Sequence, residues 1–475
     1  MKLAFGEYAP DLPAHLSPGV STASNLYPGA NGYRPVGTFA ALGSALPSAC
    51  LGAASFSSEA GRSVIIAGTA TSLYTATQSG WTLIGTGYSV SSNGRWRFAQ
   101  FGDFAIATNG ADRPLKINLA TDVVSALGGS PPTMQAIATV YNFLVGTVIG
   151  GKVNRVAWSG ENNSEWWTFA QRKSDYQDFA DGGPVTGLIG GEIGLVLQRN
   201  AVRRMAYVGG NILFRFDKIS SNDGCTTVHS VAQHGELAFW YSDNGFKMWD
   251  GAQIRSIGFE RVDTTFAAEN ATDGFSRMSC AVDGQRSTVV WSTGAKLWSY
   301  NWKLDKWGAP IVLAVEIVTS GVSRGPSLDE QDTVVGATDD NVDGVGLVTL
   351  DDARFRGGDP RFYLVVAGVI GTLSGVNMAA SIAGRRVEMI QGRDARLRRL
   401  RPMSDVVAGV TVTLKTWQRL GDAPRTGVFT ALNASGEMPV RARGRFVEVG
   451  LAIAAGQTWT YIQGADATLE AGGMR

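Results

Sequence analysis

Cysteine and histidine are scarce in this chain of 475 residues, which contains three of each. The cysteines, Cys50, Cys225 and Cys280, are too few and too widely spaced for a disulfide framework or a zinc site, and they suit a reducing compartment. Neither sign of charge prevails, because 42 basic side chains stand against 41 acidic ones. The overall charge therefore gives no argument for nucleic acid or for an acidic substrate.

Long apolar runs are also missing from the amino-terminal segment, which lacks the hydrophobic stretch of a secretory signal. One uncharged stretch, Phe362 to Gly384, is long enough to be considered as a membrane span. It contains Asn377, several serines and threonines and four glycines, so it is only modestly hydrophobic. A buried β-hairpin is the favoured interpretation, and we expect no membrane contact.

Signals for catalysis are few. The sequence contains neither a phosphate-binding loop nor an H-E-x-x-H helix. His229 and His234 are five residues apart with Glu236 nearby, and that spacing points the two rings to opposite faces of a strand. We interpret them, like His15 near the amino terminus, as ordinary polar positions rather than metal ligands. The prediction is a protein that is not an enzyme and needs no cofactor.

Glycine, in contrast, is abundant at 60 residues, and it accompanies a pattern that recurs along the chain. Short alternating apolar runs are separated by polar turns, and such alternation buries one face of a β-strand. The segments 72–85, 244–258 and 296–308 share one plan, which is a pair of antiparallel strands containing a tryptophan. The run before each pair also recurs, with starts at Gly61, Gly102, Tyr141, Gly191, Gly235, Gly284 and Gln331.

These starts follow one another every 39–50 residues, which fits a unit of about four short strands. Such a unit predicts the blade of a β-propeller, because one small sheet buries both its faces only between neighbouring blades. A solenoid or a pair of sandwiches would not explain the even spacing as well. We predict seven blades, or six if one unit completes a blade together with the amino-terminal arm. The expected packing residues between blades are Trp81, Trp158, Trp249, Trp298 and Trp307.

The predicted all-β chain has three parts. Residues 1–40 are rich in proline, glycine and serine and form an extended amino-terminal arm, while residues 41–355 form the β-propeller. Residues 356–475 contain longer alternating strands and form a carboxy-terminal β domain, either a sandwich or barrel-like. An arm without a core of its own is typical of a segment that orders on a neighbouring subunit.

Two acidic stretches are candidate sites. Asp339, Asn341 and Asp343 match the first half of a calcium loop, but no acid closes it, so a hairpin turn is the stronger interpretation and a metal site the weaker one. Glu161 and Glu165 are an acid pair with flanking tryptophans, as a glycan-cleaving site would need. A carboxylate pair four residues apart in a loop is more often solvated than catalytic.

The strongest charge feature is an arginine-rich stretch after the uncharged segment. Arginine without lysine favours fixed, bidentate contacts with carboxylates or phosphates. A subunit seam is preferred over phosphate binding, because no nucleic-acid motif accompanies the arginines. A solvated strand with local ion pairs is about equally expected. The candidates for contacts with a subunit or a channel are Arg385, Arg386, Arg393, Arg396, Arg398, Arg399 and Arg401.

Several segments resemble a family of propeller proteins from the tails of short-tailed phages. The amino-terminal arm has the acidic-Pro tripeptide Asp11-Leu12-Pro13, then Pro-Gly and a run from Asn25 to Pro35. "NRVAWSGENNSEWWT" is similar to a recurrent blade of that family, and "FWYSDNGFKMWDG" to another of its passages. The closing "QGADATLEAGGMR" resembles the usual carboxy terminus of the family. The match covers most of the chain.

This resemblance implies a structural component of a bacteriophage tail, a hub or nozzle ring of the phage stabilisation protein type. Such a ring would extend the channel of the portal and adaptor proteins, retain packaged DNA and pass it during ejection. The implied form is a homo-oligomer, a hexamer, in contact with a tail needle or plug, with tail fibres or spikes, and transiently with DNA. The implied location is the virion, after assembly in the host cytoplasm. The alternative is a glycan-binding or glycan-cleaving β-propeller at the tail tip.

Overall fold

The computed structural model describes residues 1–13, 17, 19–77, 80–148, 152–210, 212–272, 274–322 and 360–472. Antiparallel strands dominate these residues, beside one α-helix at Asp263–Glu269 and two 3-10 turns at Val228–Ser230 and Gly274–Arg277. Seven sheets form a β-propeller, and two six-stranded sheets form a separate sandwich. The prediction of an all-β chain with a propeller and a second β domain is confirmed.

The first three blades follow one another along the chain, and each has four strands in sequence order. The strands of blade 1 are Gly52–Ser57, Ser63–Gly68, Ser72–Ala76 and Trp81–Thr86. The strands of blade 2 are Arg97–Phe101, Phe104–Thr108, Leu115–Asn118 and Val124–Ala126. The strands of blade 3 are Met134–Val140, Phe143–Val148, Arg155–Trp158 and Asp175–Asp178. The first strands of neighbouring blades lie against one another, so they are the innermost strands of the ring.

Blades 4, 5 and 6 repeat this order, and blade 6 carries a short fifth strand. The strands of blade 4 are Val185–Ile189, Ile193–Gln198, Val202–Tyr207 and Phe214–Ser220. The strands of blade 5 are Ala232–His234, Leu237–Ser242, Gly245–Trp249 and Ile254–Ser256. The strands of blade 6 are Ser279–Asp283, Thr288–Ser292, Lys296–Asn301, Lys306–Trp307 and Ile311–Val312. The three repeated segments at 72–85, 244–258 and 296–308 therefore contain the outer strand pairs of blades 1, 5 and 6, as expected.

Blade 7 closes the ring with strands from distant parts of the chain. Its strands are Ile317–Val322, Pro360–Val366, Val369–Thr372 and Ala40–Ala41. The outermost strand thus comes from the amino-terminal side and pairs Ala41 with Gly371. The propeller has seven blades. Six of the predicted starts immediately precede the second strand of a blade, whereas Gln331 lies outside the described residues.

Blade 7 also changes the predicted domain boundary. Strands at 360–372 belong to the propeller, although the boundary was placed between 355 and 356. The uncharged stretch 362–384 is a hairpin of blade 7 followed by the strand Ala380–Ala383 of the sandwich. Its apolar residues Leu364 and Val365 are fully buried, which explains its hydrophobicity without a membrane. Across the described part of the chain, no helix has the length and apolar character to cross a membrane.

A buried hydrophobic cluster lies at each of the seven joints between neighbouring blades. Trp298 and Trp307, both fully buried, belong to the cluster between blades 5 and 6. Trp249 lies between blades 4 and 5, Trp158 between blades 3 and 4, and the partly buried Trp81 packs near the joint of blades 7 and 1. The prediction that these tryptophans pack between blades is confirmed. Each buried aromatic side chain contributes about 1.5–3 kcal/mol by leaving water.

The second domain is a sandwich of two sheets around one core. The first sheet contains Leu26–Gly29, Gly32–Pro35, Ile462–Ala471, Ala395–Ser404, Met438–Gly444 and Lys2–Ala4. The second sheet contains Thr22–Ser24, Ala380–Ala383, Phe446–Ile453, Val410–Trp417, Arg425–Phe429 and Val387–Glu388. Four of the twelve strands thus come from the amino-terminal segment.

Most of the predicted extended arm, 1–40, is therefore part of this sandwich, whereas Ala40 lies in the outermost strand of blade 7. Phe5, Val20, Leu26 and Tyr33 are buried in its core. The pairing of Lys2 with Asp466 joins the two ends of the chain in one sheet. The arm lacks a core of its own, as expected, but it shares the core of its own carboxy-terminal sheets, so it needs no neighbouring subunit to become ordered.

Candidate functional site

The predicted arginine cluster is divided among different environments, and its first member is buried. Arg385 is 8% exposed and donates hydrogen bonds to the carbonyl oxygens of Ala9 and Leu12, the latter at 2.6 Å. Burial lowers the pKa of its guanidinium. Arg385 therefore fastens the amino-terminal segment to the sandwich, and little of its side chain is exposed for the predicted contact with a subunit or a channel.

Arg386 is also engaged within the sandwich. Its guanidinium lies 3.9 Å from the ring centroid of Trp417 and donates to the carbonyl oxygen of Leu420 at 2.7 Å. A cation over an indole face contributes about 0.5–1 kcal/mol at a partly exposed site. The predicted cluster thus begins at Arg393, which lies in the turn before the strand Ala395–Ser404.

The remaining arginines lie on one exposed face of the first sheet. Leu397 and Leu400 point into the core, and the arginines between them point outward. A register shift between Leu397 and Arg399 places two consecutive arginines on the outer face. The neighbouring strand Met438–Gly444 adds two more exposed arginines. We call this surface the arginine face, and its members are Arg396, Arg398, Arg399, Arg401, Arg441 and Arg443.

Local ion pairs neutralise only part of the arginine face. The partners are Glu470 for Arg398 at 2.7 Å, Glu437 for Arg399 at 3.2 Å and Asp394 for Arg443 at 3.2 Å. Such exposed pairs are each worth about 0–1 kcal/mol. Among the described residues, Arg396, Arg401 and Arg441 have no ion-pair partner. The arginine face therefore presents guanidinium groups that can form bidentate hydrogen bonds with carboxylates or phosphates.

The predicted acid pair is not free to act as a pair. The carboxylate of Glu161 accepts from Lys173 Nζ at 2.6 Å, and that of Glu165 lies 2.8 Å from Lys116 Nζ. Lys116 lowers the pKa of Glu165, which opposes the role of a general acid. The Tyr207 hydroxyl also donates to Glu161 at 3.4 Å.

The two histidines that the structure describes occupy unrelated positions. His234 is exposed and packs beside Trp302, with the ring centroids 5.3 Å apart. His229 is buried at the inner side of the propeller. Within the described ranges no group of three or more His, Cys, Asp or Glu residues could hold a metal ion. The calcium-loop candidates Asp339, Asn341 and Asp343, together with His15, lie outside the described residues.

One pattern that the sequence reasoning passed over is G-x-S-x-G at 321–325. In hydrolases this pattern lies in a sharp turn between a strand and a helix. Here Gly321 and Val322 end an antiparallel inner strand of blade 7, paired with Arg361 and Pro360. The serine of the pattern, Ser323, lies outside the described residues.

The structure brings together other polar residues that the sequence pattern did not single out. Arg95 and Arg97 flank Trp96 at the start of the inner strand of blade 2. They line a central cavity of about 330 Å³, together with His229 and inner-strand residues of blades 1, 5, 6 and 7. Arg97 Nη2 donates to His229 Nδ1 at 2.6 Å. The R-W-R pattern at 95–97 could have indicated this pair, because residues two apart in an extended chain face the same side.

No family model and no curated protein matches the chain. Among solved structures, the β-propeller domain of Cps50 (Swd1) from Myceliophteria thermophila is 7% identical, with a TM-score of 0.40, and covers 59% of this chain and 92% of that one. The WD40 repeats of RRP9 are 11% identical, with a TM-score of 0.39, and cover 60% of this chain and 88% of that one. The structure of U3-55K is also 11% identical, with a TM-score of 0.39 and coverages of 59% and 87%.

Proposed function

We propose that this protein is a structural component of a bacteriophage tail, a hub or nozzle ring. In this role it extends the channel below the portal and adaptor proteins, retains packaged DNA and passes it during ejection. The ring is a homo-oligomer, a hexamer in the family that the sequence resembles. The proposal also places the protein in the virion, in contact with a tail needle or plug and with fibres or spikes.

The observation that carries this proposal is the arginine face of the sandwich. An arginine-rich, partly unneutralised sheet surface suits a subunit interface, because interfaces are enriched in arginine and depleted in lysine. Arg396 and Arg401, on the strand Ala395–Ser404, have exposed side chains and no ion pair among the described residues, as does Arg441 on the neighbouring strand. A second observation supports the proposal. The two terminal segments that resemble the phage family pair with each other in this same sheet, for example at Tyr33 and Ile462.

The test is the mass of the purified full-length particle, measured by native mass spectrometry and by negative-stain imaging. We expect a closed ring, and we expect the double variant Arg396→Glu and Arg401→Glu to shift it toward monomers. Reversing two charges turns attraction across the seam into repulsion. The matched control is Arg215→Glu in the outer strand of blade 4, an exposed arginine paired with Asp217, which should leave the ring intact.

A monomer at high concentration, together with absence of the protein from virions, would contradict the proposal. If the ring forms equally well in the double variant, the arginine face is not the seam. Binding of duplex DNA that weakens steeply with salt and is lost in the same variant would instead assign the face to the DNA channel.

A glycan-binding surface is the second candidate function, and one aromatic pair favours it. Tyr141 is 40% exposed and stacks on Tyr207 with ring centroids 4.5 Å apart, beside Glu161 and Lys173. Exposed aromatic rings next to polar groups suit the apolar faces and hydroxyls of sugars. The test is binding to host surface polysaccharides. Tyr141→Ala should abolish that binding, while Tyr176→Ala on the neighbouring outer strand should keep it.

A further inference from the structure

The central cavity of the propeller has a polar wall at one end. It lies where the chain enters the inner strands, since Arg97, Ser279 and Ile317 are the first residues of such strands. The rest of the wall is made largely of small or apolar side chains, among them Ala53 and Ala281. A volume of about 330 Å³ accommodates a small polar ligand together with several waters, each of which occupies about 30 Å³ in the liquid.

The arginines at this end use few of their hydrogen-bond donors. Each guanidinium carries five N–H groups. In the described part of the chain, Arg97 donates to His229, and Arg95 donates to the Ser276 carbonyl oxygen at 3.3 Å. The Nε atoms of both arginines are buried without a hydrogen-bond partner. Such a shortage of partners is costly for a buried cation.

The acidic groups among the described residues do not balance these cations. The carboxylate of Glu316 is close enough to attract the Arg95 guanidinium electrostatically, but it accepts a hydrogen bond from the Cys50 N–H at 2.9 Å. Among the described residues it forms no ion pair with Arg95 or Arg97. Arg277 adds a third positive charge near Arg95. Three guanidinium groups against one carboxylate leave a local excess of about two positive charges.

The histidine does not relieve this excess, because it stays neutral. An arginine only donates, so His229 Nδ1 accepts from Arg97 and the ring carries its proton on the other nitrogen. Burial, followed by the charges of Arg97 and Arg95, lowers the pKa of His229 to about 2. Burial also lowers the pKa of Arg97 to about 10, which still leaves it charged at neutral pH. His229 therefore orients Arg97 without adding charge.

We infer that the central cavity binds a phosphate-type oxyanion between Arg95 and Arg97. A doubly charged tetrahedral anion matches the local excess of charge and offers acceptors to both guanidinium forks, whereas a single carboxylate compensates half of that charge. The phosphate comes either from free inorganic phosphate or from the terminal phosphate of a nucleic acid strand. The chemistry at the arginines is the same for both sources.

The experiment uses the full-length protein in phosphate-free buffer and follows the melting temperature as inorganic phosphate is added. A ligand that binds only the folded state raises the melting temperature, and above its dissociation constant this rise grows with the logarithm of the ligand concentration. We expect this logarithmic rise for the natural sequence and at least a tenfold loss of apparent affinity in Arg97→Met, which keeps a long unbranched side chain. The matched control is Arg396→Met on the arginine face, which should titrate like the natural sequence.

A second variant and a second readout keep the test decisive. If Arg97→Met does not fold, Arg95→Met takes its place, with the same expected loss. Cys280 also lines the cavity, so saturating phosphate should slow its alkylation, measured by mass spectrometry of the labelled peptide. Equal stabilisation of the natural sequence and both cavity variants, with no protection of Cys280, would overturn the inference.

Competing ligands then identify the source of the phosphate. A short oligonucleotide with a 5′-phosphate is compared with the same oligonucleotide without it, and both are compared with acetate. Preference for the phosphorylated strand over inorganic phosphate assigns the site to a nucleic acid end, and the reverse order assigns it to the free anion. Acetate binding as tightly as phosphate would refute the phosphate class.

Discussion

The propeller and the sandwich are both antiparallel β domains, but they are assembled from the chain in opposite ways. Blades 1 to 6 each use one continuous segment, and most of their strands pair with the next strand in sequence. In the sandwich, Lys2 pairs with Asp466 and Thr22 with Ala383, so partners are hundreds of residues apart. Local pairing costs little loop-closure entropy, whereas distant pairing costs more and forms more slowly.

This difference teaches where each domain is vulnerable. A blade contains its own hydrogen-bonded partners and needs neighbours only for packing. The sandwich needs both ends of the chain at once, and its core loses four strands if one end is missing. Blade 7 is intermediate, because its outermost strand, Ala40–Ala41, returns from the amino-terminal side to pair with Val369–Thr372.

Deletion of residues 1–35 should have the largest effect on this contrast. It removes four strands and the buried side chains of Phe5, Val20, Leu26 and Tyr33 from the sandwich, but leaves the strand at 40–41 that closes blade 7. We expect the sandwich to unfold and the propeller to persist. Limited proteolysis with mass spectrometry should yield resistant material that begins before residue 40 and ends after residue 372.

The control for this deletion is a synthetic peptide of residues 1–35 added in trans. It should restore protection of the sandwich, because the missing strands pair through the backbone. Loss of the propeller along with the sandwich would show that the two domains fold as one unit. A deletion variant with an intact, protected sandwich would refute the structural role of these strands. Any effect of the same deletion on ring assembly acts through this domain.

The same contrast explains which parts of the fold were predictable. Six blade starts were found because each blade repeats locally, with turns at similar spacing. The seventh start, Gln331, lies outside the described residues, and the sequence did not predict that the second strand of blade 7 would be Pro360–Val366, because 37 residues, 323–359, separate it from the first strand. The strands Thr22–Ser24 and Leu26–Gly29 were not predicted, because they have little alternation of their own and are fixed by partners at the other end of the chain.

The candidate sites follow the same rule. The arginine cluster was visible as a run of charge, but its division into the buried Arg385 and the exposed Arg396 depends on where the arm and the sheets meet. The central cavity was not predicted because Arg97 and His229 lie in different blades, 132 residues apart in sequence. Periodicity places a residue on one face of a strand, but the closed ring decides which residues from different blades share a cavity.

Substitution of Trp298 should have the next largest effect. This fully buried ring lies between blades 5 and 6, and its centroid is 5.3 Å from that of the Phe266 ring. Replacement of Trp298 by alanine should cost about 3–5 kcal/mol of folding free energy. The matched variant is Leu414→Ala in the sandwich core, with an expected cost of about 2–5 kcal/mol. Hydrogen exchange followed by mass spectrometry should show that Trp298→Ala reduces amide protection in blades 5 and 6. Leu414→Ala should reduce amide protection in the sandwich. Exchange that rises equally in both domains in either variant would contradict independent cores.

The smallest effect is expected at Asp11, where the amino-terminal segment contacts the propeller. The helix Asp263–Glu269 begins after Val262, which has no side chain that could cap it. Asp11 replaces that cap from 253 residues away in the sequence, since its carboxylate accepts from the backbone N–H of Thr264 at 2.7 Å and of Thr265 at 2.9 Å. The expected cost of Asp11→Ala is about 0.5–2 kcal/mol.

Asp11→Asn should cost less than Asp11→Ala, because the amide oxygen still accepts one of these N–H groups although the charge near the helix start is lost. Asp243→Ala, which removes an exposed pair with Arg199, serves as the control and should change stability by less than about 0.5 kcal/mol. Faster amide exchange at 264–266 in Asp11→Ala, with the rest of the propeller unchanged, would establish that the cap is local. If amide exchange in the sandwich rises as well, the contact of Asp11 with the helix also stabilises the sandwich. The reason is that Arg385 of the sandwich holds the same segment through the carbonyl oxygens of Ala9 and Leu12. The two domains would then be coupled through one short segment, despite their separate cores.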